Sequence, residues 1–216
     1  MSALFRRSAN RTFRYVLAAV ALAAAGGLTG LLVYQRVPFG TRQLEEVAQP
    51  VQFDHRHHVV DDAIDCRYCH QGAERGASAG IPSTALCMNC HAQVWNKSPR
   101  LEPVRASYFT GRPIDWVRVH QLPDFVYFNH SIHVHKGIGC ETCHGRVDRM
   151  PAIHQEAPLT MGWCLSCHRD PAPNLRPPEA ITAMGWVPDK DPVLLGQELM
   201  KKYDVHTRVS CTTCHR

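Results

Sequence analysis

FNHSIHVHKGIGCETCH, residues 128–144, sets two histidines three positions apart, a glycine-flanked turn, and two cysteines three positions apart with a histidine directly after the second. The closing pentapeptide decides the reading. Two thiols at i and i+3 lie on one face of a helical turn. Each can form a thioether with one vinyl group of a haem, and the next imidazole then falls under the iron as its proximal ligand. The same C-x-x-C-H recurs as CRYCH (66–70), CMNCH (87–91), CLSCH (164–168) and CTTCH (211–215). All ten cysteines are used: Cys66, Cys69, Cys87, Cys90, Cys140, Cys143, Cys164, Cys167, Cys211 and Cys214. The candidate proximal ligands are His70, His91, His144, His168 and His215, and the expected cofactor is five covalently bound haem c.

Other uses of paired cysteines fit less well. Zinc sites join two C-x-x-C pairs, or one pair and two spaced histidines, into four ligands. Five pairs with five abutting histidines do not divide that way. Disulfides suit an exported chain, and a thioredoxin-like motif would appear once rather than five times.

Nine histidines remain. His55 and His58 stand in FDHRHH ahead of the first site, and His130 and His133 in FNHSIH ahead of the third. Aligning the two blocks exposes an internal duplication, approximately 53–91 and 128–168, with the fifth site at 211–215 outside it. Each copy reads F-x-H-x-x-H, then two C-x-x-C-H sites. On a helical turn the two imidazoles of H-x-x-H share a face and can serve two different haems. His120, in the aromatic-rich WVRVHQLPDFVYFNH, completes five distal candidates with His55, His58, His130 and His133. His206, five residues before Cys211, is the alternative to His120. His57, His135 and His154 read as surface or hydrogen-bonding residues. Met88, Met150, Met161, Met184 and Met200 are other possible sixth ligands.

The chain has 24 Lys and Arg against 19 Asp and Glu, a net charge of +5, and four of the basic residues are Arg6, Arg7, Arg11 and Arg14 in a leader without acidic residues. The rest is nearly neutral, so a nucleic-acid role, which needs basic residues clustered on a folded face, is not expected. Behind those arginines run the 18 uncharged residues VLAAVALAAAGGLTGLLV (16–33), near the lower limit for crossing a bilayer. Phe13, Tyr15 and Tyr34 sit where an interfacial aromatic belt belongs. A cleavable signal peptide is the competing reading. By the positive-inside rule, residues 1–36 are a cytoplasmic arginine-rich tail and transmembrane anchor. Residues 37–216 are then a haem domain on the periplasmic side of the cytoplasmic membrane.

The F-x-H-x-x-H blocks resemble small class III multihaem cytochromes, in which the first histidine ligates the following haem and the second reaches another. More extensively, FDHRHHVVDDAIDCRYCH, AGIPSTALCMNCH, the stretch from WVRVH to GRVDRMP, MGWCLSCHRDPAP and CTTCHR resemble the pentahaem cytochrome c subunit of alternative complex III, a bacterial quinol-oxidising complex. This likeness runs from about residue 50 to the end. It implies partners: an iron–sulfur subunit related to molybdopterin oxidoreductases, polytopic quinol-binding membrane subunits, and a monohaem cytochrome c. It also implies electron flow from quinol toward a cytochrome c or a terminal oxidase.

The expected fold is a multihaem cytochrome c: mainly short α-helices and long loops around five haems, with one N-terminal transmembrane helix. The 15 prolines and 14 glycines punctuate it, and PAPNLRPPEA (171–180) reads as an extended connector. With two histidines on each iron no position is free for a substrate, so an electron relay without a catalytic site of its own is expected. The alternative is a stand-alone membrane-anchored quinol dehydrogenase, with Asp61, Asp62 and Asp65 as candidate proton acceptors. A multihaem reductase such as a nitrite reductase would replace a proximal histidine by lysine, and no C-x-x-C-K occurs.

Overall fold

A computed structural model describes residue 6 and residues 8–215. Arg7 and the first five residues of the expected cytoplasmic tail lie outside the described residues. The chain divides into two units, Met1–Arg42 and Gln43–Arg216.

The first unit is dominated by helix α1, Ala9–Tyr34. Its Ala- and Leu-rich sequence lacks proline and is charge-free over two-thirds of its length, which favours helix and leaves no polar face. None of its residues is buried. At 26 residues it is about 39 Å long, against a hydrocarbon layer of about 30 Å. It is long and apolar enough to cross a membrane. Helix α2, Pro38–Thr41, starts with proline at its first position and ends at Arg42 in the left-handed region, φ 57°.

The second unit is built from short helices. These are α3 (Cys66–Cys69), α4 (Thr84–His91), α5 (Glu102–Thr110), α6 (His130–His135), α7 (Cys140–His144), α8 (Met161–Arg169), α9 (Pro192–Lys202) and α10 (Cys211–Cys214). Among the described residues the only β-type pairings are isolated bridges, Gln43 with Gln155, Glu46 with His154 and Ile138 with Leu175. Caps define several helix starts. The Asp65 side chain accepts from Arg67 N ahead of α3. Asn129 accepts from Ile132 N ahead of α6, and Thr160 from Trp163 N ahead of α8. Asp191 accepts from Val193 N and Leu194 N ahead of α9. Each satisfies amide donors that the first helical turn leaves unpaired.

The apolar interior is small. Its buried members are Val51, Val104, Met150, Ala152, Ala157, Ala172, Leu175, Ala180, Ile181 and Leu199, six of the ten being alanine or valine of modest size. The proline-rich stretch 171–180 departs from the extended connector expected of it. It folds into two 3-10 turns, Ala172–Asn174 and Pro178–Ala180, and is extended at Leu175 and Pro177 between them. Proline's fixed φ suits the first position of such turns as well as it suits an extended chain. Burial of Ala172, Leu175 and Ala180 decides between the two. Helix α9 packs on this stretch at Gly196, where a Cβ would lie 1.9 Å from the Ala172 carbonyl oxygen.

Candidate haem-binding sites

The five C-x-x-C pairs occupy α3, α4, α7, α8 and α10. Helices α3, α7 and α10 begin at their first cysteine, whereas α4 and α8 begin three residues earlier. The first and second sites thus differ from one another as the third and fourth do, in step with the two sequence blocks. The cysteines of each pair stand at i and i+3 of a helical turn, the disposition that two thioethers to one haem require.

Each proximal candidate has its Nδ1 engaged. His70 Nδ1 bonds Gly80 O at 2.8 Å, His91 Nδ1 bonds Val94 O at 3.0 Å, His168 Nδ1 bonds Arg208 O at 3.0 Å and His215 Nδ1 bonds Phe125 O at 3.1 Å. A carbonyl accepts, so in these four the ring proton sits on Nδ1 and the Nε2 lone pair is left for a metal. His144 differs: its Nδ1 lies 3.2 Å from His120 Nε2.

The histidines of the H-x-x-H blocks follow the same pattern. His58 Nδ1 bonds Asp54 O at 3.2 Å, His133 Nδ1 bonds Asn129 O at 2.7 Å, and His130 Nδ1 bonds Ala77 O at 2.8 Å. Phe53 stacks on His58 at 4.4 Å and 28°, and Phe128 on His133 at 4.5 Å and 28°. The same rings stand edge-on to His55 and His130, each at 4.7 Å. In the second block the H-x-x-H lies in α6; in the first it runs into a π-turn, His57–Asp61. His55 Nδ1 is buried without a hydrogen-bond partner.

Across from these rings stand the proximal candidates. His58 and His91 have ring centroids 6.1 Å apart, His133 and His168 6.1 Å, and His130 and His144 6.3 Å with planes within 9°. Two imidazoles that bind one metal from opposite sides need about this span: roughly 2 Å of metal–nitrogen bond on each side plus the reach from nitrogen to ring centre. These residues therefore fit haem iron. Burial, then the neighbouring His70, holds His55 down at about 4. Burial, then the imidazoles of His120, His130, His70 and His55, holds His144 at about 3. His133 is also lowered, chiefly by burial. Neutral imidazole is the form that a metal accepts.

The remaining histidines sort differently. His57 pairs through Nδ1 with Asp61 at 2.8 Å, His154 through Nε2 with Glu156 at 3.2 Å, and His206 through Nε2 with Asp204 at 2.7 Å. His135 Nδ1 bonds Ser131 O at 2.6 Å on an exposed face. The ring contact of His120 is with His144, at 4.4 Å and 77°. Phe125 packs on His215 at 5.7 Å.

The thiols adjoin in a series. Cys66 and Cys140 adjoin, and their interaction lowers the Cys66 thiol and raises that of Cys140. Burial raises Cys69, with Cys87 and Cys90 adding to it, and pushes Cys143 up to about 12, with Cys167 and Cys164 adding to it. Burial raises Cys164, and Cys214 is its next largest influence. A further tie links the two blocks: Ser131 N and His130 N donate to Gly76 O and Ala77 O, in the loop after the first site. The carbonyls that orient the ligands carry no side-chain signature, so the sequence offered no trace of Gly80, Val94, Arg208 or Ala77 in that role. The phenylalanine of F-x-H-x-x-H was visible as a repeat position, but its stacking was not.

Residues 126–216 match the family model described as cytochrome c7 and related cytochrome c. The chain is also similar to the "Menaquinone reductase, multiheme cytochrome c subunit" of Nitratidesulfovibrio vulgaris (strain Hildenborough). The two are 32% identical over 153 residues, which cover 70% of this chain and 66% of the relative, just under two thirds of its length. Recurrent C-x-x-C-H helices, imidazole pairs at an iron's span and these two likenesses agree on a multihaem cytochrome c, with residues 126–216 similar to cytochrome c7 and related cytochromes c.

Proposed function

We propose that the chain carries five haems and is the electron-relay subunit of a membrane complex that oxidises quinol, of the alternative complex III type. The observation that carries this reading is the set of imidazole pairs at 6.1–6.3 Å. Bound haem supplies one-electron chemistry at its iron. The two cysteines of each pair would hold it by thioethers, and at the second, third and fourth sites two imidazoles, each with its Nδ1 engaged, would bind the iron. We assign His55 to the site of His70, His58 to His91, His130 to His144 and His133 to His168. From the adjoining thiols the sites run second, first, third, fourth, fifth through the fold. Helix α1 is read as a membrane anchor, with the haem domain on the periplasmic side. The expected partners are an iron–sulfur subunit related to molybdopterin oxidoreductases, polytopic quinol-binding subunits and a monohaem cytochrome c.

The name of the relative favours a second direction of flow, toward menaquinone rather than from menaquinol. One stopped-flow experiment separates the readings. The isolated chain, oxidised, is mixed with menaquinol or ubiquinol, and the intact complex is treated in parallel; the reduced forms are then mixed with menaquinone. The proposal expects slow reduction of the isolated chain, fast reduction by quinol in the complex, and a holoprotein mass equal to the chain plus five haems. Fast reduction of the isolated chain makes it a quinol dehydrogenase in its own right. Fast oxidation of the complex by menaquinone, with no quinol reaction, reverses the direction.

A further inference from the structure

Among the five proximal candidates, four orient the ring through a backbone carbonyl, and His144 uses a side chain. Its Nδ1 faces His120 Nε2 at 3.2 Å, with the rings nearly perpendicular. If His144 binds iron through Nε2, its proton is on Nδ1, so His144 donates and His120 accepts. His130 lies parallel to His144 at 6.3 Å, the span of two rings on one metal, whereas His120 at 4.4 Å is too close to share a metal with it. His120 therefore sits behind the ligand rather than across the metal from it. The segment bearing it is pinned: Gln121 N donates to Oε1 of the buried Gln155 at 3.2 Å, and Gln155 O accepts from Leu44 N at 2.9 Å.

We propose that His120 is a positioning residue for the third site: it orients His144 and strengthens it as an electron donor to iron, and it is not itself an iron ligand. This rests on the reading of His144 as a ligand. An imidazole nitrogen is a more basic acceptor than an amide oxygen, so the bond to His120 gives His144 more imidazolate character than a carbonyl would. Such partners of metal-bound histidine raise ligand basicity, which favours the oxidised iron and makes the third site harder to reduce.

The test uses the matured, membrane-extracted protein. In His120→Ala, haem content per chain by mass and the number of low-spin ferric centres by electron paramagnetic resonance stay as in the wild type. One midpoint potential rises, by about tenfold in the reduction equilibrium, or ~59 mV for one electron. His120→Gln, which keeps an acceptor, returns that potential toward the wild-type value and serves also if the alanine variant fails to mature. Conversion of one low-spin centre to high spin in either variant overturns the proposal, because His120 is then an axial ligand. Unchanged potentials in both variants overturn it as well. His144→Ala separates the two possible failures: it must cost a low-spin centre, and a wild-type spectrum there sinks the underlying ligand reading and the proposal with it.

Discussion

His58 and His133 occupy equivalent places: each bonds a backbone carbonyl four residues back, lies under a phenylalanine and faces a proximal candidate at 6.1 Å. Substituting one should disturb one site only. In His133→Ala, one low-spin ferric signal is expected to become high spin while the remainder keep their shape, and loss of two signals would contradict the pairing. Asp65 is a second single-residue test. Its carboxylate caps α3, bonds Arg67 and accepts from Thr182 Oγ1 at 2.7 Å. Asp65→Ala should cost about 1 kcal/mol in a denaturant titration. The hydrogen bond from the Arg67 side chain is the main reason the Asp65 carboxyl is held at about 2, below its ordinary 3.8. A depressed carboxyl contributes its stability above the unfolded value and loses it as pH falls through the folded one. Asp65→Asn should therefore flatten the loss of stability between pH 3.8 and about 2, and an acid limb identical to the wild type would count against the assignment. The C-x-x-C-H spacing is visible in the sequence itself, because the covalent attachment proposed for it would demand one spacing. The place of His120 is not. A histidine in a non-helical segment has no periodicity from which to infer its neighbour, and only the fold brings it to His144.

At the scale of elements, the sequence exposed the two H-x-x-H blocks but not the difference in their backbone, an α-helix in one and a π-turn in the other. Such a difference depends on where the flanking chain must go rather than on the shared residues. The proline-rich stretch 171–180 shows the same limit. Proline restricts φ to a value common to extended chain and 3-10 turn, so packing, invisible in local sequence, made the choice. That packing is testable at Gly196, where α9 meets the Ala172 carbonyl. Gly196→Ala places a Cβ 1.9 Å from that oxygen and must push α9 outward. A loss of about 1–3 kcal/mol and a lower Tm are expected, although alanine is the better helix former in isolation. A neutral or stabilising result would mean that the helix does not lie there.

Taken whole, the exported segment expected after residue 36 is close to neutral as a polypeptide. Five haems would add ten propionates and take it from about 0 to about −10 with the irons reduced. Isoelectric focusing of the mature protein should therefore give a point well below the sequence value of 8.7, and focusing near 8.7 would contradict the five-haem assignment. The small apolar interior has a different consequence, for the life of the chain before it is finished. No large side chain among the described residues is fully buried, and the buried apolar set is ten residues with four alanines. Burial on that scale is far from offsetting the conformational entropy of ordering some 170 residues, at about 1 kcal/mol or more each. Under the proposed export, the new polypeptide would be a substrate for proteases outside the cytoplasm rather than a folded apoprotein awaiting its cofactor. On the proposed haem attachment, biogenesis would be a race between ligation and degradation, in which a cell short of haem accumulates no idle precursor.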